Sequence, residues 1–366
     1  MRRSIIAVAA ATASVLLAAG CGSAGTPSSS SSSGTGGATA GKFVGCMVTD
    51  TGGIDDKSFN ASSWQGMQEA QAADPSKISV KFLQSTSSAD YAPNISAFLG
   101  QKCGIIVTVG FLMAAATQTA AKANPSSKFA IVDFPKFPQT NIDSLIFNTV
   151  QDGYLGGYLA AGMTKTGKVA TFGGQKLPTV TIYMDGFWDG VQAYNKAHHK
   201  NVTVLGWNEQ TQSGEFTNSF TNVTLGQTIT QTFISEGADI IFPVAGLVGL
   251  GAAKAVQNAD NAAGTQKVNM MWVDTDGCVS APQYCKYFIT SVEKGIQTAV
   301  KTSVTSAANG TFKGGAYIGT LANGGVALAP YHDFATVVPA SLQAEINSLK
   351  ADIISGKIVP ATKSPV

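Results

Sequence analysis

The sequence predicts a parallel α/β protein built as two lobes, and three observations carry that prediction. Apolar runs of strand length alternate with amphipathic or alanine-rich segments of helix length along most of the chain from Phe43 onward. Some of those runs, residues 104–110 above all, are apolar without alternation and bounded by glycine, as strands covered on both faces of a parallel sheet should be. The alternation also comes in two series of similar length, the second beginning at Gly153.

The first series opens with a buried strand at 43–48 and a helix at 58–73, which sets Phe59, Trp64, Met67 and Ala70 on roughly one face. Between them lies a polar loop, residues 50–60. In an open α/β sheet the loop leaving the carboxyl end of the first strand faces the ligand crevice. Here its two glycines give backbone freedom, Asp50 and Asp56 give acceptors, and Phe59 gives a flat apolar face. A solvated turn with an N-cap aspartate is the alternative reading. Strands follow at 79–83, 104–110, 129–134 and 144–147, with helices at 90–99, entered through a proline, and 114–123, stopped by Asn124-Pro125. Asp133 falls at a carboxyl strand end, on the same sheet edge as Asp50.

In the second series helices are expected at 154–163, 179–196, 221–235 and 252–259, with strands at 168–172, 202–205, 239–244 and 269–273, the last running into Asp274. Beyond it we expect a short strand at 287–290, a helix at 292–308, a strand near 317–319 and a final helix at 339–355.

With 366 residues, 44% hydrophobic and 13% charged, the chain has enough apolar residues for two substantial cores and lacks the basic excess of a nucleic-acid binder. Its N-terminus reads as a targeting segment: Arg2 and Arg3, an apolar run over 5–17 too short to span a membrane stably, then Ala18-Ala19-Gly20-Cys21. Small residues before a cysteine resemble the lipobox of bacterial lipoproteins, which implies a signal peptide over 1–20 and a lipidated Cys21. One departure is that Leu17 stands a place further from the cysteine than the usual lipobox leucine, with Ala18 in its position. An ordinary secretory signal is the alternative. Removal of Arg2 and Arg3 with the signal would leave 22 basic against 22 acidic residues, so bulk electrostatic attraction is not the means of binding. Residues 21–41, with six consecutive serines at 28–33, read as a flexible tether. Four further cysteines in an exported chain favour disulfides. Of the three possible pairings we favour Cys46 with Cys103, on neighbouring strand edges, and Cys278 with Cys285, closing a short loop.

Several chemistries find no support. Gly246, Gly249 and Gly251 follow a strand and precede a helix, but their spacing is not that of a dinucleotide fingerprint. The chain has no nucleophile elbow, and its three histidines, His198, His199 and His332, do not sit where a serine hydrolase could be assembled. Asp274-Thr275-Asp276 supplies too few oxygens for a cation and reads better as a strand end presenting an acceptor. No metal, no cofactor and no enzymatic activity are expected.

The ordered set Gly53-Ile54-Asp55-Asp56-Lys57-Ser58-Phe59-Asn60, Trp64 with Gly66, Asp133-Phe134, Gly153-Tyr154-Leu155-Gly156-Gly157, Gly173-Gly174, Asp185-Gly186-Phe187, Gly237-Ala238-Asp239, Ala245-Gly246, Val273-Asp274 and Thr290-Ser291-Val292-Glu293-Lys294 resembles the basic membrane protein family of bacterial substrate-binding lipoproteins, the purine-nucleoside receptors of ABC importers. The resemblance covers about 43–328. It implies a type I periplasmic-binding-protein fold, two Rossmann-like lobes with parallel sheets and a hinge: 42–147 with 277–312 as the N-terminal lobe, 148–276 with 313–366 as the C-terminal lobe. It implies a monomer anchored by lipid outside the cytoplasm, which hands its ligand to a permease served by a separate ATPase. Asp50, Asp56, Asn60 and Asp133 would bond the base or nearby atoms, Phe59 would stack on it, and Gly246, Asp274 and Lys294 would hold the ribose. The second aromatic wall maps to Phe220, with Phe216, in a loop where this sequence departs from the family, as its competitor. The residue types suit a purine nucleoside, which offers two π faces, a ring of donors and acceptors, and a diol. Plainer roles are core packing for Phe59 and Phe220, a helix cap for Asp133 and a surface helix charge for Lys294. A receptor for a sugar or signalling molecule is the rival ligand class, and an exported nucleoside hydrolase the rival activity.

Overall fold

The computed structural model describes residues 41–364. The proposed signal peptide, Cys21 and all but the last residue of the tether therefore lie outside the described residues. The elements in the first part of the chain are β1 (Phe43–Val48), α1 (Phe59–Ala73), β2 (Ile78–Leu83), α2 (Tyr91–Gly100), β3 (Ile105–Val109), α3 (Ala114–Ala123), β4 (Phe129–Val132) and β5 (Ile142–Phe147). The chain continues through α4 (Val150–Met163), β6 (Lys168–Gly173), α5 (Pro178–His198), β7 (Thr203–Leu205), the hairpin strands β8 (Trp207–Asn208) and β9 (Ser213–Gly214), α6 (Val223–Ser235), β10 (Ile240–Val244), α7 (Gly249–Ala263) and β11 (Asn269–Asp274). It ends with α8 (Gly277–Ser280), β12 (Phe288–Lys294), α9 (Ile296–Ala308), β13 (Gly315–Gly319), β14 (Val326–Leu328) and α10 (Ala340–Ile354).

Two six-stranded sheets result, in the orders β13-β5-β4-β3-β1-β2 and β14-β12-β11-β10-β6-β7, every ladder parallel except β12 with β14. All five residues of β3 are buried, as its unbroken apolar run requires of a strand covered on both faces. Helices α1 and α9 pack together over one face of the first sheet, and α2 with α3 over the other. In the second sheet α4 and α5 cover one face and α6 with α7 the other. The α4–α5 contact is unusually close. A Cβ on Gly157 would strike the Phe187 carbonyl, and one on Gly190 the Tyr154 carbonyl, so Gly153 and Gly157 of Gly153-Tyr154-Leu155-Gly156-Gly157 serve the packing of α4 on α5, while Gly156 faces Val292 and Met271 of the sheet.

The two disulfides join Cys46 to Cys103 and Cys278 to Cys285, as favoured from the sequence. Two expectations need correction. Residues 292–294 continue β12 rather than begin a helix, because they pair with β11 and β14 in the second sheet, and the helix starts only at Ile296. For the same reason 277–312 do not belong as a block to the first lobe: β12 lies in the second sheet, whereas β13, placed with the second lobe, pairs with β5 in the first. The chain thus crosses between lobes three times, after β5, after β12 and after β13. The hairpin β8–β9 was not expected, since its strands are two residues each and carry no pattern.

Candidate functional site

Strand ends from the two sheets face one another across a cleft of about 610 Å³, part of it open to solvent. In the second sheet the β10–β11 ladder stops at Ile241 and Met270, and Pro243, which has no N–H to give, lies beyond it. The strands part there, and Val244, Ala245 and Gly246 line the cleft.

On the first lobe the loop after β1 is held by its own acids. Asp56 accepts from the amides of Ser58 at 3.0 Å, Asn60 at 2.8 Å and Ala61 at 3.0 Å, and from the Asn60 side chain at 3.0 Å. It lines the cleft, but its acceptor capacity goes into fixing the first turn of α1. Asp50 accepts from the Asn60 Nδ2 at 2.7 Å and from the Gly52 amide at 3.0 Å through one oxygen, Oδ1. Burial pushes its carboxyl up to about 6 against those hydrogen bonds. Asn60 also accepts the Asp50 amide, so its orientation is set from both ends.

The centre of the cleft is an ion cluster drawn from both sheets. Asp133 follows β4, Asp274 ends β11 and Lys294 ends β12, and all three are buried. The Lys294 ammonium lies 2.5 Å from Asp133 and 3.8 Å from Asp274, and 5.2 Å and 5.1 Å from the ring centroids of Phe59 and Tyr183. Burial opposes its charge, yet Asp133, Asp274 and Asp152 together outweigh that and keep it protonated. Asp133 and Asp274 both adopt the left-handed backbone conformation, φ 66° and 68°, which aspartate tolerates better than most residues and which concentrates at functional sites. Asp274 also accepts from Ser58 Oγ at 2.7 Å and Tyr183 Oη at 3.2 Å. The Ser58 bond crosses between lobes, as do the bonds from Trp272 Nε1 and Thr275 Oγ1 to the Lys57 carbonyl at 3.1 and 3.2 Å.

Asp50, Asp56, Phe59, Asn60, Asp133, Phe220, Gly246, Asp274 and Lys294 thus line one cleft. Phe216 does not. Its ring meets Trp207 edge-on at 5.9 Å and rests on Gly173, while Phe220 rests on Gly174; each glycine of that pair leaves room for one phenylalanine ring. Sequence reasoning missed Tyr183, Ser58, Phe111 and Thr179. Tyr183 falls among the apolar residues of a long helix and carries no mark to separate it from the core, and Ser58 looked like an ordinary helix start.

Lysine, carboxylates and aromatic rings in this arrangement can bind an uncharged, flat ligand that carries donors and a pair of hydroxyls. Comparison with known proteins bears on the same point. A family model described as ABC transporter substrate-binding protein, PnrA-like, matches residues 43–363. The chain is 31% identical, over 99% of its length and 100% of the relative's, to an ABC transporter nucleoside-binding protein, BmpA, of Lactococcus lactis subsp. cremoris. It is 32% identical, over 86% of its length and 87% of the relative's, to a CD4+ T-cell-stimulating antigen of Listeria monocytogenes. Among solved structures, an ABC transporter solute-binding protein from Aeropyrum pernix K1 shares the fold, with a TM-score of 0.79 and 24% identity over 88% of this chain and 94% of that one.

Proposed function

Because the chain belongs to the Bmp family of PnrA-like ABC transporter substrate-binding proteins, we propose that it is the receptor that closes over a nucleoside, in first place a purine nucleoside, and delivers it to a membrane permease driven by a separate ATPase. The observation that carries the ligand class is the pairing of Phe59 from one lobe with Phe220 from the other in a single cleft whose remaining walls hold Asp50, Asn60 and the Asp133–Lys294–Asp274 cluster. Two rings from opposite lobes suit a base bound between them, with Asp50 and Asn60 on its edge. Asp274 and Lys294 suit the ribose diol, a carboxylate accepting hydroxyl protons beside a cation that compensates its charge. Asp56 acts by shaping the loop. The name of the Lactococcus relative supports the same ligand class. An anchor on Cys21 would hold the receptor at the outer face of the membrane; among the described residues no helix is long and apolar enough to cross it.

Calorimetric titration of the protein with adenosine, guanosine, inosine, uridine and ribose tests the proposal. Binding of purine nucleosides at micromolar affinity or better, with ribose weaker by orders of magnitude, is the expected result. A folded, ligand-free protein that binds ribose as well as it binds nucleosides, or binds none of them, would overturn the ligand class.

A further inference from the structure

Beside the cleft lies a second chamber of about 690 Å³, part of it open to solvent, walled by Phe134, Pro135, Ile146, Phe147, Pro178 and Ile182. Its walls come from the ends of β4 and β5 in one lobe and from the first turns of α5 in the other. Phe111, Asp133, Thr179 and Lys294 line both this chamber and the cleft, so the two spaces adjoin at the Asp133–Lys294 pair. At that boundary the two charges neutralise one another, 2.5 Å apart, and the wall beyond is almost wholly hydrocarbon. Asp50, Asn60, Phe220, Gly246 and Asp274 line the cleft but not this chamber.

We infer that this chamber is an apolar annex of the binding site and takes an uncharged alkyl or alkylthio group carried on the 5′ carbon of a nucleoside. The inference rests on the nucleoside reading above. With the base edge at Asp50 and Asn60, and the diol at Asp274 and Lys294, the 5′ carbon is the sugar position left to face the annex. A 5′-hydroxyl gains little from walls of phenylalanine, proline and isoleucine. A 5′-phosphate would set its charge beside Asp133, whose counter-ion is already engaged. An alkyl chain gives up contact with water for contact with those side chains, which is favourable in proportion to its length until the space is filled.

The test is calorimetric titration of the protein with adenosine and inosine, their 5′-deoxy-5′-alkylthio derivatives from methyl to butyl, their 5′-monophosphates, and N6-butyladenosine. Affinity should rise about three- to fourfold per added methylene, and the monophosphates should bind more weakly than the parents. An Ile146→Phe variant, which narrows the annex without touching the cleft, should bind the parent nucleosides unchanged and lose the gain from chain length. Should that variant not fold, the homologous series on the natural protein decides alone. Affinity that stays flat or falls with chain length, while the parents bind, would overturn the annex and leave the nucleoside reading standing. Silence for parents and derivatives alike would overturn both. A gain for N6-butyladenosine with none for the 5′ series would overturn the assignment to the 5′ carbon.

Discussion

Lys294 is the side chain on which the two lobes' charges converge, and its removal should be felt in folding before it is felt in binding. In Lys294→Met the stem keeps its packing while Asp133, 5% exposed, loses its cation. Breaking a buried pair from one side typically costs about 3–5 kcal/mol, because the remaining charge is stranded. Burial already raises the Asp133 carboxyl above its ordinary range, and without the ammonium the group would be held neutral in the folded protein. A carboxyl that ionises near 3.9 when unfolded and stays neutral when folded loses about 1.4 kcal/mol per pH unit above that value. The variant should therefore be less stable than the natural protein by at most about 5 kcal/mol at pH 7.5 and at most about 1.5 kcal/mol at pH 5, each bound being lowered by what the raised Asp133 carboxyl already costs the natural protein. The sign follows from a raised folded pKa, whose stability is present at low pH and lost as pH rises. An Asp133→Asn background keeps a side chain that tolerates the left-handed conformation and removes the stranded charge, so there the same Lys294→Met change should cost far less. Urea unfolding followed by the fluorescence of the four tryptophans, of which Trp207 and Trp272 are buried, reads all four proteins. Equal destabilisation at both pH values, and in both backgrounds, would refute the reasoning.

Two further outcomes concern the ligand. Phe220→Ala should weaken purine nucleoside binding by about 1–3 kcal/mol through lost stacking and burial, as should Phe59→Ala, whereas Phe216→Ala should leave affinity nearly unchanged and lower stability instead. Calorimetry and urea titration of the three variants check this, and an affinity loss confined to Phe216→Ala would reverse the assignment. With the Asp50 carboxyl pushed up to about 6 and accepting a base N–H as carboxylate, affinity should be level from pH 7 to 8 and fall about tenfold by pH 5. Asp50→Asn should abolish that dependence; a natural protein whose affinity does not change between pH 5 and 7 would show that Asp50 does not act as the ionised acceptor. For folding the same raised pKa works in the opposite direction, since its contribution to stability is present at low pH and lost as the pH rises through about 6.

Much of this architecture is legible in the sequence because parallel strands declare themselves by burial on both faces. The runs ending at Val48, Val109, Val132 and Asp274 needed no partner to be identified, and they bring Asp50, Gly110, Asp133 and Asp274 to the cleft. Where the pattern failed, the cause was local. Residues 292–294 are as compatible with a helix start as with a strand end, and only their neighbours β11 and β14 decide the matter. That decision moves Lys294 from a helix surface to a buried strand end, where its charge has a purpose. Phe216 and Phe220 are four residues apart in a loop without periodicity. Which of them reaches the cleft depends on which glycine of Gly173-Gly174 each ring rests upon, a contact across more than forty residues of chain. Tyr183 was invisible for a different reason: a phenol within an apolar helix face reads as core until the carboxylate of Asp274 is placed against it.

The three crossings between lobes bear on how the protein comes into being. Neither lobe is a continuous stretch of the chain: the first sheet takes its edge strand β13 from residues 315–319, and α1 waits for α9 at 296–308. While the chain is being made or threaded through a membrane, the first five strands can be complete and still lack the helix that covers one face and the strand that closes one edge. A chain ending before residue 296 should thus yield no independent first lobe, however intact its opening motif, and the two lobes should mature together only after nearly all of the sequence is available.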